Sequence, residues 1–533
     1  MYSKTIKAVK WTSILFLVVA AMLLSIRVYD SQRGPPLAPW HTHVPPELSA
    51  AQLDASDWNG YLANEQKIFE DVRSAVTQRL ESDERLPLNR YFVGSPIYPG
   101  RFVQDFNRSY ILEPNGSPVG VVVLLHGLTD SPYSQRHIAR YYRDHGFVAI
   151  VIRLPGHGTV PAGLVDVEWE DWMAATRLAV REARRRVTAP APLHLVGFSN
   201  GGALAVKYAL DSIADPLPRV DRLVLISPMI GITRFARFAG LASLPALFPA
   251  FAEAAWLSVV PEFNPFKYNS FPVNGAVQSH RLTRALQHEI ALYGRSGKIS
   301  DLPPIITFQS VMDFTVSTSA IITALYEHLP SNGSELVLFD VNRTVKFGAL
   351  LRPSADTALS RLLPHAARNY RTTIVTNSET PDGEEVERRT EPGEVTENDR
   401  PLGVAYPEGL YSLSHVALPF PMTDSLYGLT PDPTEDFGLH LGSLAPRGER
   451  NVLIASLDSL LRASSNPFFP YMIDRIGEGI EHHEIPASNV AARSSRAANT
   501  MPDEDTGDWS IRDTIAAISR FLRGQHDDTD EPP

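Results

Sequence analysis

The chain has 533 residues, 44% of them hydrophobic, with 60 acids against 49 lysines and arginines and a formal charge of −11. That is enough apolar material for one elaborated α/β domain or for two to three average ones. The acid excess argues against a nucleic-acid partner, which needs a basic face. The absence of cysteine excludes disulfides, thiolate chemistry, iron–sulfur ligation and a lipidated N-terminal cysteine.

Lys4, Lys7 and Lys10 precede an uncharged, mainly apolar run from Trp11 to Ile26, closed by Arg27. A positive end before an apolar core is the form of an export signal. The run is short for crossing a bilayer, although Val28 and Tyr29 extend it if Arg27 snorkels to the interface. Val19-Ala20-Ala21 offers a cleavage site but leaves only a brief apolar core ahead of it. Residues 1–30 are therefore read as a membrane anchor, with a cleaved signal as the alternative. The body is expected on the non-cytoplasmic side, periplasmic or extracellular, or else secreted.

Residues 31–46 carry Pro35-Pro36, Pro39 and Pro45-Pro46 and read as a stiff linker. Residues 47–100 begin with a helical pattern through Trp58, Tyr61, Ile68 and Val72, a preface to the main domain. Ser109–Leu112 and Val119–Leu125 flank Asn115-Gly116, a hairpin signal. Apolar runs then recur at Val148–Ile152, Leu193–Val196, Leu223–Ile226, Ile305–Phe308 and Leu336–Phe339. Helical patterns alternate with them at Ser134–His145, Val167–Arg185, Gly201–Leu210 and Ser317–Leu329. Short continuous apolar strands alternating with helices predict an α/β fold whose mostly parallel sheet is covered on both faces. Its first part spans residues 101–228 and its second part residues 301–343.

Between them, residues 229–300 are rich in Phe and Leu, broken by Pro245 and Pro249, and suit a helical cap as well as ordinary core packing. Residues 344–409 form a second insertion whose middle, Glu379–Arg400, is dense in acids, proline and glycine and is expected to be mobile. Residues 410–486 form a C-terminal elaboration, and residues 487–533 a polar tail with one amphipathic pattern at Trp509–Leu522.

The chemistry centres on Gly197-Phe198-Ser199-Asn200-Gly201-Gly202, which joins a strand to a helix. A serine on so tight a turn needs glycines, because side chains at 197 and 201 would collide with the neighbouring strand and helix. The turn then lifts the Ser199 hydroxyl above the sheet edge, near the positive N-terminal end of the following helix. Leu125-His126-Gly127-Leu128-Thr129-Asp130-Ser131-Pro132 ends the first long strand, where backbone N–H groups of Leu128 and Asn200 can face an oxyanion. His126 reads as a buried histidine that holds this loop. Asp313 follows a strand and precedes a helix, which suits the acid, with Asp340 after the next strand as the alternative. For the base, His328 and His365 lie in helical stretches and His482 and His483 in a charged one, which leaves His415. The order Ser199, Asp313, His415 is that of Ser-acid-His hydrolases.

Together with Arg153-Leu154-Pro155-Gly156-His157-Gly158-Thr159 and Ser414-His415-Val416, these segments resemble the α/β-hydrolase superfamily. The likeness is strongest to its monoacylglycerol-lipase-like, carboxylesterase and serine aminopeptidase (S33-type) branch. The resemblance covers about Ser109 to Asp340 and a patch around His415. It implies an α/β-hydrolase fold with a helical cap over 229–300 and extra C-terminal insertions, a Ser199–His415–Asp313 triad, and an oxyanion hole from Leu128 and Asn200. No metal and no organic cofactor are expected. One departure is the long insertion between Phe339 and His415, where relatives have a short loop. The activity expected is hydrolysis of a small carboxylic ester or lipid-like substrate through an acyl-enzyme. The alternatives are a prolyl-aminopeptidase-like peptidase, for which the cap acids are Glu253, Glu262 and Glu289, and a non-catalytic binding protein of the same fold.

Overall fold

The structure is a computed structural model that describes residues 2–231, 244–247, 249–313, 315–344, 357–378, 384–407, 410, 412–442 and 464–481. One ten-stranded sheet runs through these residues in the order β1-β3-β2-β4-β5-β8-β9-β10-β11-β12. Its strands are β1 (Tyr110–Leu112), β2 (Gly120–Leu125), β3 (Phe147–Ile152), β4 (Leu193–Phe198), β5 (Arg222–Ile226), β8 (Ile305–Ser310), β9 (Glu335–Phe339), β10 (Arg371–Asn377), β11 (Glu385–Thr390) and β12 (Glu397–Pro401). A separate ribbon pairs β6 (Trp256–Ser258) with β7 (Phe271–Pro272). From β3 through β10 the neighbours in the large sheet are parallel. β1, β11 and β12 pair antiparallel at its two ends.

The apolar runs are continuous because the sheet is buried on both faces. In β2, Val121, Val123 and Leu125 join one core, and Val122 and Leu124 join the other. After α1 (Tyr2–Ser31), α2 (Pro39–Thr42), α3 (Ala50–Ala55) and α4 (Trp58–Ala75), α5 (Arg136–Asp144) closes the second core, and α6 (Trp169–Arg186) and α7 (Asn200–Ala214) close the first. α6 is well placed to be a helix, with Glu170 and Asp171 in its first turn and Arg184, Arg185 and Arg186 in its last, complementing the helix dipole. The C-terminal helix Phe469–Glu481 returns to cover the second face with Met472 and Ile476.

Several sequence expectations change. β1 pairs with β3, Tyr110 opposite Val151, and not with β2 across Asn115-Gly116. Both edges of β2 are already taken by β3 and β4, so the short strand adds to the free edge of β3. The expected cap divides. The long helix Val273–Ser296 puts Leu282, Leu286 and Ile290 into the main core, and Tyr268 of 256–272 bonds to the loop after β2; residues 232–243 and Phe248 are outside the described residues. The expected mobile acidic segment instead supplies β11 and β12. Its charges are matched within and across the strands: Glu387 meets Arg389 of its own strand at 2.5 Å and Arg400 of β12 at 2.9 Å, and Arg388 meets Asp399 of β12 at 2.9 Å. Residues 379–383 and the 487–533 tail, with its Trp509–Leu522 pattern, are outside the described residues.

The proline-rich stretch is docked and does not act as a free linker. Trp40 stacks on Tyr91 at 5.3 Å, and His41 Nε2 lies 3.0 Å from Ser270 Oγ. The preface helix Trp58–Ala75 is clamped by Arg153, whose buried guanidinium meets Glu47 at 2.7 Å and Glu65 at 3.2 Å. The membrane anchor expected at residues 1–30 is not supported: among the described residues no helix is long and apolar enough to cross a membrane. Arg27, expected at a lipid interface, is buried and donates to the carbonyls of Ala254 and Trp256.

Candidate active site

Ser199 sits between β4 and α7 with φ 53° and ψ −113°, a conformation that side chains other than glycine rarely adopt. The elbow is held by hydrogen bonds from Ser199 N to Ile226 O and from Met229 N to Ser199 O, both 2.9 Å. Its glycines are required by contact. A Cβ on residue 197 would lie 2.4 Å from Gly201 O, and one on residue 201 would lie 2.2 Å from Leu125 O. The strand end, the turn and the helix start therefore meet backbone to backbone, which leaves the serine side chain at the sheet edge.

The loop after β2 lies against this elbow, since a Cβ on Gly127 would meet Ser199 Cβ at 3.3 Å. Tyr268 N donates to Thr129 O at 2.7 Å and pins the loop from the 256–272 side, while Thr129 itself has φ 61°. Asn200 is the first residue of α7, so its N–H has no partner within the helix. Neither that N–H nor the N–H of Leu128 donates to an acceptor among the described residues. Two unspent donors beside Ser199 are what a developing oxyanion requires.

Asp313 follows β8. Its Oδ1 accepts from Thr315 N at 2.7 Å and Val316 N at 3.1 Å, and its Oδ2 accepts from His415 Nδ1 at 2.8 Å. Burial acts to raise the Asp313 carboxyl, but the adjacent His415 and the two backbone donors outweigh it and hold the group below its ordinary value. His415 is 7% exposed, and its ring lies 5.2 Å from that of Phe198, the residue before the nucleophile. Ser199 Oγ makes no hydrogen bond among the described residues, to His415 or to any other group. Such contacts commonly tighten only when substrate arrives.

The other candidates are accounted for by their partners. Asp340 is buried and accepts from Thr376 Oγ1 and Arg343, each at 3.1 Å, and not from His415. His126 is fully buried, with Nδ1 2.9 Å from Gly127 O and Nε2 accepting from Leu154 N at 3.0 Å. Burial, together with the neighbouring His157, lowers the His126 imidazole well below its ordinary value. His157 contacts Pro155 O at 3.0 Å, and burial brings it down to about 4. Both rings are neutral struts of the loops around the serine. Sequence reading missed Tyr268, whose contacts with the oxyanion loop are long-range and leave no local signature. It also missed the backbone donors to Asp313, which the Asp-x-Thr-Val spacing offers as an Asx-type turn.

Residues 116–341 match the family described as serine aminopeptidase, S33. A thermostable monoacylglycerol lipase from Bacillus sp. (strain H-257) is 27% identical over 166 residues, 31% of this chain and 62% of that enzyme. The match therefore spans less than two thirds of that relative's length. Among solved structures, a monoglyceride lipase variant from Saccharomyces cerevisiae aligns at 15% identity over 43% of this chain and 81% of its own, with a TM-score of 0.34. A monoacylglycerol lipase from Paleococcus ferrophilus aligns at 16% over 49% and 100%, with a TM-score of 0.33. From its sheet order, its strained serine elbow and the matched segment, the chain carries an α/β-hydrolase core, and residues 116–341 of it are similar to the serine aminopeptidase, S33 family.

Proposed function

We propose that the chain is a serine hydrolase that cleaves carboxylic esters of acyl or lipid-like substrates. Ser199 Oγ attacks the ester carbonyl and His415 Nε2 takes its proton. Asp313 holds the imidazole through Nδ1–H and stabilises the imidazolium that forms. The N–H groups of Leu128 and Asn200 receive the oxyanion of the tetrahedral intermediate. His415 then returns the proton to the leaving alkoxide. The acyl-enzyme is resolved by water, with His415 again acting as base.

The observation that carries this reading is the 2.8 Å hydrogen bond between His415 Nδ1 and Asp313, made across 102 residues of chain and beside the strained serine. A structural aspartate needs no histidine delivered from so far away. A peptidase that recognises a free amino group needs an unspent acid, and two of the three cap acids are engaged. Glu262 accepts from Asn269 N at 3.0 Å and Ser270 N at 2.7 Å, and Glu289 pairs with Lys207 at 2.8 Å. Action outside the cytoplasm is part of the proposal, on the strength of Lys4, Lys7 and Lys10 ahead of the apolar run. Recovery of the protein in the cytoplasmic fraction would contradict that part.

The test is fluorophosphonate labelling followed by a panel of acyl esters and aminoacyl amides, including monoacylglycerols because one relative is a monoacylglycerol lipase. Labelling at Ser199 with turnover of esters is expected. Labelling elsewhere, or turnover confined to aminoacyl amides, would overturn the reading.

A further inference from the structure

His415 reaches the site only after the long excursion through β10, β11 and β12, so something other than a short loop must fix it. The chain beyond it is held step by step. Ala417 N donates to Ser414 O, Phe420 N to Ala417 O and Asp424 N to Pro421 O, at 3.1, 3.0 and 3.0 Å. Asn466 braces the same stretch by donating to Phe420 O and Leu418 O. The run ends at Asp424, whose side chain is fully buried.

Asp424 is saturated with donors. Its Oδ2 accepts from Arg136 Nη1 and lies 2.9 Å from His137 Nε2. Its Oδ1 accepts from Tyr133 OH at 3.0 Å and from Leu426 N and Tyr427 N at 2.9 and 2.8 Å. Arg136 is itself 1% exposed. All three side-chain donors lie just after the oxyanion loop. Between them, Gln135 Nε2 donates to Leu125 O at 3.0 Å, the carbonyl against which Gly201 of the elbow is packed. Burial alone would raise the Asp424 carboxyl, but Arg136 and His137 outweigh it and hold the group well below its ordinary value, so it remains an anion.

We infer that Asp424 is a positioning residue for the general base, setting His415 against Ser199 by tying the His415-bearing segment to the helix behind the oxyanion loop. The inference rests on the ester-hydrolase reading above. It assigns Asp424 no contact with substrate. Its effect is geometric, and displacement of a catalytic group by about 1 Å can cost about 100-fold in rate.

The experiment compares the full chain with Asp424→Asn on a soluble p-nitrophenyl ester, well below the melting temperature of each. Asparagine keeps the volume but loses the charge that Arg136 requires and one of the two acceptor oxygens. A kcat lower by about tenfold or more is expected, with KM within about twofold and with no further loss when His415→Ala is already present. Asp54→Asn, which removes a carboxylate that pairs with Arg177 and Arg181 outside this cluster, is expected to keep kcat within about twofold. If Asp424→Asn does not fold, Tyr133→Phe removes one of its donors and is expected to lower kcat by about threefold. An unchanged kcat in the folded variant, a change confined to KM, or an equal loss in the His415→Ala background overturns the inference. Failure of the underlying reading looks different: Ser199→Ala then retains turnover, whatever Asp424→Asn does.

Discussion

Replacing Gly201 by alanine tests whether the elbow and the oxyanion loop act as one rigid assembly. The added Cβ would lie 2.2 Å from Leu125 O, 2.6 Å from Leu125 C and 2.7 Å from His126 O. All three are backbone atoms, so no side-chain rotation relieves the contact. The start of α7 and the end of β2 must separate by about 1 Å to reach ordinary contact, and forced overpacking of this kind costs about 1–3 kcal/mol. The loop that must move runs on from His126 through Gly127 to the Leu128 N–H, and the helix that must move begins at Asn200. The same ångström therefore opens the proposed oxyanion hole, for which a loss of about 100-fold in kcat is expected with little change in KM. Gly333→Ala is the control. It has φ 85° and no atom within 4 Å of an added Cβ, so only backbone strain of about 1–2 kcal/mol is expected there. Steady-state kinetics on a short-chain ester and thermal melts of both variants decide the matter. A Gly201→Ala enzyme with kcat within threefold of the parent would refute the reasoning, whatever its stability.

Three further expectations concern the extended sheet. Arg475→Ala removes the 2.5 Å partner of buried Glu335, which keeps Arg371 at 3.5 Å and the Thr373 hydroxyl at 2.6 Å, so a destabilisation below the about 3–5 kcal/mol of a fully unpaired buried charge is expected in chemical denaturation. Burial, and after it the neighbouring Asp340, pushes Glu385 up to about 7 from an ordinary 4.5. The folded state therefore holds a proton that the unfolded chain releases, a contribution complete below the unfolded value and lost as pH rises through the folded one. Glu385→Gln should accordingly raise the melting temperature at about pH 8 and change it little at about pH 5; the reverse order would contradict this assignment. Deleting residues 385–401 removes β11 and β12 and uncovers β10. Loss of soluble yield and of esterase activity together is expected, and retention of both would contradict the packing described.

The parts of the site that are legible in the sequence are those built from local chemistry. The Gly197–Gly202 turn names its own geometry, because only glycine tolerates neighbours at 2.2–2.4 Å, and its place between an apolar run and a helix fixes which face the serine takes. The buried strands are legible for a similar reason, since a run apolar at every position has few other uses. What cannot be read is set by partners far along the chain. The pairing of β1 depends on which sheet edge remains free, and Arg27 is fixed by carbonyls of Ala254 and Trp256. The acidic stretch around Glu387 reads as solvated by composition, yet Arg389 and Arg400 neutralise it within the same small antiparallel unit. His415 stands between these cases. Order and elimination select it, but its hydrogen bond to Asp313 depends on how the intervening insertion folds.

The central claim is that Ser199 and His415 act as one unit, and a double-mutant cycle on ester turnover tests it most directly. Ser199→Ala and His415→Ala are each expected to lower kcat by about 10⁶-fold, with the double variant no worse than either alone. Near-parental turnover in His415→Ala beside a dead Ser199→Ala, or losses that multiply in the double variant, would contradict the account.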